Sequence, residues 1–265
     1  MVGRQTLDLS TEVRILVPQP LLPLHVSLHM AEPTQRAKVM RARMLSPTVH
    51  ELTLIPLESK ISFKPGQWVS LKLPVGERQP LTRAYSMAEL ESSSGELVLA
   101  FDRVPSGLGS GYLVSVKEGD ELVFAGPYGN FTVSLPLTVD LVLVARFTGI
   151  VPIRCILRDL FAGPVSRRVT LIYGSPTQTD RIYHGEFQEM AACHKAFRYL
   201  PTVLDGSAPA GEERRPESEI LASLWQGRKD FLPMVCGTKA FVRPLKTYLT
   251  ELGFGRKEAK FETYD

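Results

Sequence analysis

The hydrophobic positions follow two different patterns in the two halves of the chain. In residues 37–133, short runs alternate in polarity or are apolar throughout, and turn signals such as Pro65-Gly66 separate them. Such runs are typical of β-strands, and several short ones separated by turns predict a small antiparallel barrel. The predicted strands are residues 49–55, 68–73, 96–101 and 121–124, with a short helix over residues 107–116.

From residue 137 onward, apolar runs alternate with helix-like segments. Residues 139–145 and 169–174 are apolar almost throughout, as the central strands of a parallel sheet are. Strands that alternate with helices imply crossover connections and a parallel sheet. The remaining predicted elements are strands at residues 199–204 and 232–237 and helices at residues 150–161, 183–197 and 243–252.

These patterns predict an α+β protein with two domains. We expect an antiparallel β-barrel at residues 36–136 and an α/β domain with a parallel sheet at residues 137–265. Residues 1–35 form an N-terminal extension, whose apolar part at residues 15–29 is interrupted by three prolines and is too short to cross a bilayer. We expect an extended arm that packs on the body or on a partner; a cleaved targeting segment is the alternative.

Composition excludes several functional classes. The net charge of +3 is small and the basic residues are scattered, which disfavours a nucleic-acid partner. The three cysteines, Cys155, Cys193 and Cys236, are too widely spaced for a disulfide framework, a zinc site or an iron–sulfur module. We expect no metal, no membrane span and a reducing, cytoplasmic location.

Three short motifs in fixed order carry the candidate chemistry. Arg83 offers a fork of donors to a phosphate, Tyr85 an aromatic face and Ser86 a small hydroxyl. A second motif, residues 107–113, has glycines that let backbone amides approach a pyrophosphate closely. The third motif reads Gly-Pro-Tyr-Gly-Asn-Phe at residues 126–131. Together they indicate a site for a dinucleotide that carries a flat aromatic ring.

With these motifs, residues 36–265 resemble the ferredoxin–NADP reductase superfamily of FAD-dependent reductases. Arg83-Ala84-Tyr85-Ser86 is similar to the family's flavin motif, in which the Arg contacts the FAD pyrophosphate, the Tyr packs on the flavin and the Ser bonds near flavin N5. Residues 126–131 resemble the signature that ends the flavin domain. Gly107, Ser110 and Leu113 match the Gly-x-x-Ser-x-x-Leu pyrophosphate motif of the family, and Gly109, Gly111 and Tyr112 within this stretch are further expected cofactor contacts.

The second half resembles the nicotinamide domain of the same family. The resemblance implies cofactor contacts from the turn Thr148, Gly149, Ile150 and Pro152, from Tyr173, Gly174 and Ser175, and from Gly237. Cys236 matches a cysteine near the nicotinamide ring, with a positioning role. The tail is similar to a plant-type ending, in which the aromatic residue, here Tyr264, covers the flavin and the acid, here Glu262, lies near the site of hydride transfer. Here one extra residue, Asp265, follows the tyrosine.

Two departures from the family pattern concern nicotinamide binding. Arg146-Phe147 stands where relatives have two glycines, so that Phe147 can crowd the pyrophosphate while Arg146 can contact a phosphate in their place. Asp205 follows Leu204 where NADPH-using relatives carry Ser-Arg, and a carboxylate suits a ribose 2′-hydroxyl better than a 2′-phosphate. This favours NADH over NADPH, although Arg214 and Arg215 leave NADPH open.

The resemblance implies an NAD(P)H-dependent flavoprotein reductase that passes hydride to FAD and then single electrons to a separate acceptor. Ser86, Cys236, Glu262 and Tyr264 are the expected catalytic residues. A ferredoxin or an oxygenase component is the expected acceptor, because the chain has no iron–sulfur module of its own. The alternative is a flavin-binding electron-transfer or regulatory subunit without nicotinamide turnover, which Arg146-Phe147 motivates. A purely structural module of the same fold is the third hypothesis.

Overall fold

The first half of the chain is an antiparallel sheet of six strands. The computed structural model describes residues 33–209 and 212–264, so that most of the predicted N-terminal extension, and Asp265, lie outside the described residues. The strands are β1 (Gln35–Met44), β2 (Val49–Pro56), β3 (Trp68–Leu73), β4 (Leu81–Ser86), β5 (Leu97–Asp102) and β6 (Glu121–Tyr128). They lie in the order β4-β3-β6-β1-β2-β5, and every pair is antiparallel.

The core of this half comes from alternate positions on the strands. Leu52, Leu54, Leu99 and Phe124 have almost no exposed surface, because side chains at every second position of a strand point to the same face. Helix α1 (Leu108–Ser115) follows β5 and inserts Leu113 into the same cluster. Its opposite side and the end of β4 are left facing the second half.

The second half is a five-stranded parallel sheet with helices between its strands. The strands are β7 (Asp140–Arg146), β8 (Val169–Ser175), β9 (Phe197–Val203), β10 (Phe231–Thr238) and β11 (Lys260–Tyr264), in the order β11-β10-β7-β8-β9. The helices are α2 (Ile150–Leu160), α3 (His184–Cys193), α4 (Glu217–Trp225) and α5 (Lys239–Glu251), and a 3₁₀ turn at Phe147–Gly149 joins β7 to α2. The predicted fold class is thereby confirmed.

Several elements differ from the sequence-based prediction. Strands β1, β4 and β11 were not placed, since each carries several exposed or half-exposed positions and therefore lacks a clear apolar pattern. Helix α3 ends at Cys193 and not at residue 197, because Phe197 is already the first residue of the buried strand β9. Helix α5 begins at Lys239, four residues before the predicted start.

Arg154 of α2 joins the two halves. Its guanidinium donates from Nη1 to the Ala88 carbonyl at 2.6 Å and from Nη2 to the Glu89 carboxylate at 3.1 Å, both in the first half. Its Nε atom donates at 2.7 Å to Glu186 of α3, in the second half, and its charge lies 4.4 Å from the ring centre of Tyr183. A buried cation with this many partners fixes how the halves meet.

None of the helices in the described ranges has the length and hydrophobicity that crossing a bilayer requires. The same ranges contain no cluster of three or more His, Cys, Asp or Glu side chains arranged to hold a metal ion.

Candidate active site

A cavity of about 490 Å³ lies where the two halves meet. Strands β4 and β5 and the start of α1 form one side, and the carboxyl ends of β7, β10 and β11 form the other. Among the predicted site residues, its lining includes Arg83, Ala84, Tyr85, Ser86, Gly107, Gly109, Ser110, Thr148 and Tyr264. One cavity therefore collects residues that were predicted for the flavin and for the nicotinamide.

Strand β4 lines the cavity with its exposed side. Arg83 is exposed, and among the described residues its side chain bonds only the neighbouring Thr82 carbonyl, at 2.9 Å from Nη1, which leaves the rest of its fork for a ligand. Tyr85 packs edge-on against Phe101 with ring centres 5.8 Å apart, and burial raises the pKa of its phenol to about 12. Ser86 ends the strand and is buried.

The start of α1 packs closely on the neighbouring strands. A Cβ atom on Gly109 would lie 3.2 Å from methyl carbons of both Leu73 and Leu81, so glycine lets the helix come close to Arg83. The first amides of a helix have no intrahelical acceptor and attract anions. The Ser110 hydroxyl accepts a bond from the Val104 amide at 3.1 Å and thus shapes the turn, while a Cβ on Gly111 would meet nothing within 4 Å.

The residues present fit FAD. The exposed fork of Arg83 and the free amides of α1 match a pyrophosphate, and the apolar wall from Tyr85 and Phe101 matches a flat ring. Val104 and Leu108, which are 50% and 64% exposed, line the same cavity and add apolar surface to it.

The tail strand β11 brings Tyr264 to the cavity. It pairs in parallel with β10, so that Cys236 is opposite Glu262 and Thr238 is opposite Tyr264. The Tyr264 hydroxyl lies 3.0 Å from the Cys236 Sγ atom and donates to the Thr148 carbonyl at 3.4 Å. Burial raises the pKa of the Cys236 thiol far above its usual range, so this group is a neutral neighbour and not a nucleophile.

Glu262 faces a second cavity of about 690 Å³. Burial raises the pKa of its carboxyl to about 7, so the group exchanges protons near neutrality. Four cationic side chains border the same cavity: Lys246, Arg256, Lys257 and Lys260. The predicted residues Glu262 and Tyr264 thus belong to one strand and to two different cavities.

The turn after β7 brings the second half against the cavity. A Cβ atom on Gly149 would lie only 2.2 Å from the Cys236 carbonyl oxygen, so this position accepts only glycine. Phe147 lines the cavity and has a backbone φ of +51°, a left-handed conformation that costs a side-chain-bearing residue about 1 kcal/mol. The backbone of this turn therefore has a conformation that favours glycine, and phenylalanine adopts it here.

Arg146, the other departure in this turn, is held by Glu217 at the start of α4. Its Nε and Nη2 atoms donate to the two carboxylate oxygens at 2.9 and 2.6 Å, and the Glu217 side chain has no exposed surface. Arg146 also lies over the Phe241 ring at 4.3 Å. A Cβ on Gly174 would lie 1.8 Å from Glu217 Oε1, so Gly174 makes room for the carboxylate.

Other predicted residues do not line the first cavity. Tyr173 and Ser175 have no exposed surface, and Leu113 and Ile150 belong to the cores. The remaining predicted residues that do not line it are Gly111, Tyr112, Gly149, Pro152, Gly174, Asp205, Cys236, Gly237 and Glu262. Lining residues outside the motifs include Ala100, Phe101, Asp102, Val104, Pro176 and Thr238, which carry no motif signal. Leu108 and Val151 also line the cavity; they lie within two of the motifs but were not chosen as contacts.

Comparison with known proteins assigns both halves to described families. Residues 27–133 match the oxidoreductase FAD-binding domain and residues 143–247 match the oxidoreductase NAD-binding domain. The chain is 32% identical over 243 residues to ferredoxin–NADP reductase B of Sorangium cellulosum, covering 89% of this chain and 99% of the relative. It is 33% identical over 190 residues to the phenol 2-monooxygenase reductase component of Pseudomonas sp., covering 71% of this chain and 49% of that protein.

The solved structures agree. The cytochrome P450 reductase GcoB of Amycolatopsis matches with a TM-score of 0.77 at 25% identity, over 87% of this chain and 69% of that one. The chain belongs to the ferredoxin–NADP reductase superfamily of FAD- and nicotinamide-dependent oxidoreductases, as the motifs predicted. It spans about half to two thirds of the length of the oxygenase reductase components that it matches.

Proposed function

We propose that this protein oxidises NADH through bound FAD and passes the electrons one at a time to a separate acceptor protein. The observation that carries the proposal is the shared cavity, in which the flavin motifs on β4 and α1 face the turn after β7 and the ring of Tyr264. We also propose that the boundary between the two domains lies at residues 134–138, between β6 and β7.

Each group of residues has a defined part in this proposal. FAD supplies the redox chemistry when bound, since it accepts two electrons as hydride and releases them singly. Arg83 and the amides of α1 would hold its pyrophosphate, and Ser86 would orient the ring through its hydroxyl. Tyr264 would cover the flavin ring and give way to nicotinamide, and the buried Cys236 thiol holds the tyrosine in place. Glu262 exchanges a proton with solvent near this centre.

The surroundings of Asp205 support NADH over NADPH. Its carboxylate is exposed, and hydrogen bonds from the Ser207 hydroxyl and amide hold its pKa below the usual range, so it stays charged. A charged carboxylate accepts a bond from a ribose 2′-hydroxyl and repels a 2′-phosphate. The charge of Arg215, which lies in the same loop, is already paired with Glu213 at 3.0 Å.

The acceptor is proposed to be an acidic protein, either an oxygenase component or a ferredoxin. Relatives are named as reductase components of oxygenases and as a ferredoxin–NADP reductase. The cationic cavity that Glu262 borders offers a surface of matching charge. The free thiols of Cys155, Cys193 and Cys236 support a reducing, cytoplasmic setting.

An anaerobic titration tests the proposal. The FAD-reconstituted protein is mixed with NADH and then with NADPH, and flavin bleaching is followed by absorbance. We expect bleaching by NADH at much lower concentration than by NADPH. Flavin that binds but stays oxidised with both would contradict the proposal and favour the second candidate, a flavin-binding subunit without nicotinamide turnover. The strained Phe147 at the expected pyrophosphate turn is the observation that favours that candidate.

A further inference from the structure

The Arg146 guanidinium is fixed on one edge and open on the other. Its Nε and Nη2 atoms are bound by Glu217, and one face packs on Phe241. Within residues 33–209 and 212–264, Nη1 has no hydrogen-bond partner, and the side chain is 33% exposed. The same side chain lines the 490 Å³ cavity that Phe147 and Thr148 also line. Arg146 also lines a neighbouring cavity of about 370 Å³ beside α4 and α5, so its exposed surface is shared between the two cavities.

The Arg146–Glu217 pair lies where a dinucleotide would bind. Arg146 ends β7, Gly174 lies near the end of β8, and Glu217 begins α4, so all three meet at the carboxyl edge of the parallel sheet. Ligands of open α/β sheets bind at this edge, and a dinucleotide presents its pyrophosphate there. A lone carboxylate would repel that group. Bidentate pairing with Arg146 cancels the Glu217 charge, and two N–H bonds of Nη1 remain to donate.

Phosphate recognition by this arrangement depends on geometry. A guanidinium binds phosphate through paired N–H donors, and a side chain already held by a carboxylate and a ring loses little freedom on binding. Burying the Glu217 carboxylate away from water costs free energy. Its pairing with Arg146 offsets this cost and keeps the guanidinium in one orientation.

We propose that Arg146, held in place by Glu217, binds the pyrophosphate of the nicotinamide co-substrate. In this role Arg146 replaces the backbone amides that a glycine turn would offer to the pyrophosphate. Phe147 restricts access to these amides. Glu217 is a positioning residue, which acts only through Arg146. This inference rests on the proposed function, because it names a contact within the same nicotinamide site.

The variant that tests it must avoid a folding defect. Changing Arg146 alone would leave Glu217 as an unpaired buried carboxylate. The double variant Arg146→Gln/Glu217→Gln removes both charges and keeps the shape. Arg43→Gln/Glu51→Gln is the matched control, since Arg43 pairs with the 5% exposed Glu51 in the first half at 2.5 Å, away from the cavity. Arg146→Lys keeps the charge and removes the fork.

Two ligands separate phosphate binding from hydride transfer. ADP-ribose carries the pyrophosphate without nicotinamide, and its dissociation constant is measured by calorimetry on the FAD-loaded protein. Reduced nicotinamide riboside donates hydride without any phosphate, and its rate of flavin reduction is measured by stopped flow. We expect the dissociation constants of ADP-ribose and NADH to rise by at least about tenfold in the double variant, because a charge-assisted hydrogen bond is lost. Reduction by the riboside should stay within about twofold.

The outcomes distinguish this inference from the function on which it rests. Arg146→Lys should also bind ADP-ribose weakly, because a point charge does not reproduce the fork. Unchanged ADP-ribose affinity in the double variant, or equal losses with NADH and the riboside, would overturn the inference while the proposed function stands. A wild-type protein that binds no ADP-ribose and is reduced by neither donor would overturn both.

Discussion

The hydroxyl of Tyr264 and the Sγ atom of Cys236 lie 3.0 Å apart, on neighbouring parallel strands. The same hydroxyl reaches the Thr148 carbonyl in the turn after β7. Because of these two contacts, the aromatic ring at the cavity is held by residues of the nicotinamide half and not by the flavin half alone. Displacement of the ring must therefore break polar contacts.

Replacing Tyr264 should strengthen nicotinamide binding. Tyr264→Ser removes the ring that competes for the cavity, and we expect the NADH dissociation constant to fall by about tenfold or more. Tyr264→Phe is the control, since it keeps the ring and loses the hydroxyl with its contacts to Cys236, Thr148 and Ser86. We expect a smaller change there, of about the value of one hydrogen bond. Equal effects of both substitutions, measured by anaerobic difference spectra, would show that the ring does not occlude the site.

Replacing Glu262 should change how stability depends on pH. Burial raises its pKa from 4.5 to about 7, so between these values the unfolded state releases a proton that the folded state keeps. The free energy of unfolding of the wild type therefore falls as pH rises through this window. Glu262→Gln has no carboxyl to titrate, so its free energy of unfolding does not fall in this window. We expect the variant to be more stable than the wild type at pH 8 but not at pH 4.5.

Thermal unfolding at the two pH values measures the effect. Glu118→Gln, at an exposed position of the first half, is the control and should leave the pH dependence unchanged. The Glu262→Gln variant should also lose an apparent pKa of about 7 from the pH profile of electron transfer to the acceptor. Identical pH profiles of unfolding for Glu262→Gln and wild type would contradict the assignment.

Replacing Arg83 should weaken FAD binding. Its guanidinium is exposed beside the start of α1, and a charge-assisted bond to phosphate contributes about 1.5–3 kcal/mol. We expect Arg83→Gln to raise the FAD dissociation constant by about tenfold to a hundredfold in a flavin fluorescence titration. Arg41→Gln, an exposed arginine on β1, should bind FAD as the wild type does. A similar loss in both variants would indicate general attraction by positive charge.

Two substitutions of Phe147 separate strain from obstruction. Phe147→Ala removes the ring and keeps a Cβ atom at φ +51°, while Phe147→Gly removes both. We expect the glycine variant to be more stable than the alanine variant by about 0.5–1 kcal/mol, because relief of left-handed strain outweighs the added freedom of the unfolded chain. Both should bind NADH more tightly than the wild type. The two stabilities come from urea unfolding, and an alanine variant at least as stable as glycine would exclude strain at this turn.

The parts of the fold that could be predicted from the sequence are those with a strong local signal. Buried strands such as β7 and β8 are apolar along their length, so the pattern located them. Strand β4 carries the flavin motif, yet its exposed Thr82, Arg83 and Ala84 give no strand pattern. Strand β11 is short and half-exposed, and only its parallel pairing with β10 makes it a strand.

The candidate site divides in the same way. Motif residues such as Arg83 and Ser86 were recognised because their spacing is local. Glu217, the partner of Arg146, was not recognised, because 71 residues separate the two. In the sequence, a glutamate at the start of a helix resembles a surface charge. Ser110 was predicted as a cofactor contact from its place in the pyrophosphate motif, and its hydroxyl accepts a hydrogen bond from the Val104 amide and shapes the turn. Contacts that depend on tertiary packing leave no signal in a single sequence.

Arg154 limits how the two halves can be exchanged among relatives. Its guanidinium takes the Ala88 carbonyl and the Glu89 carboxylate from one half and Glu186 from the other, with only 10% of the side chain exposed. A chimera that joined this nicotinamide half to a foreign flavin half without an acid at the Glu89 position would bury a cation with one acceptor missing. Recombination between such reductases should therefore succeed only when the flavin half supplies an acid at the Glu89 position and the nicotinamide half supplies Arg154.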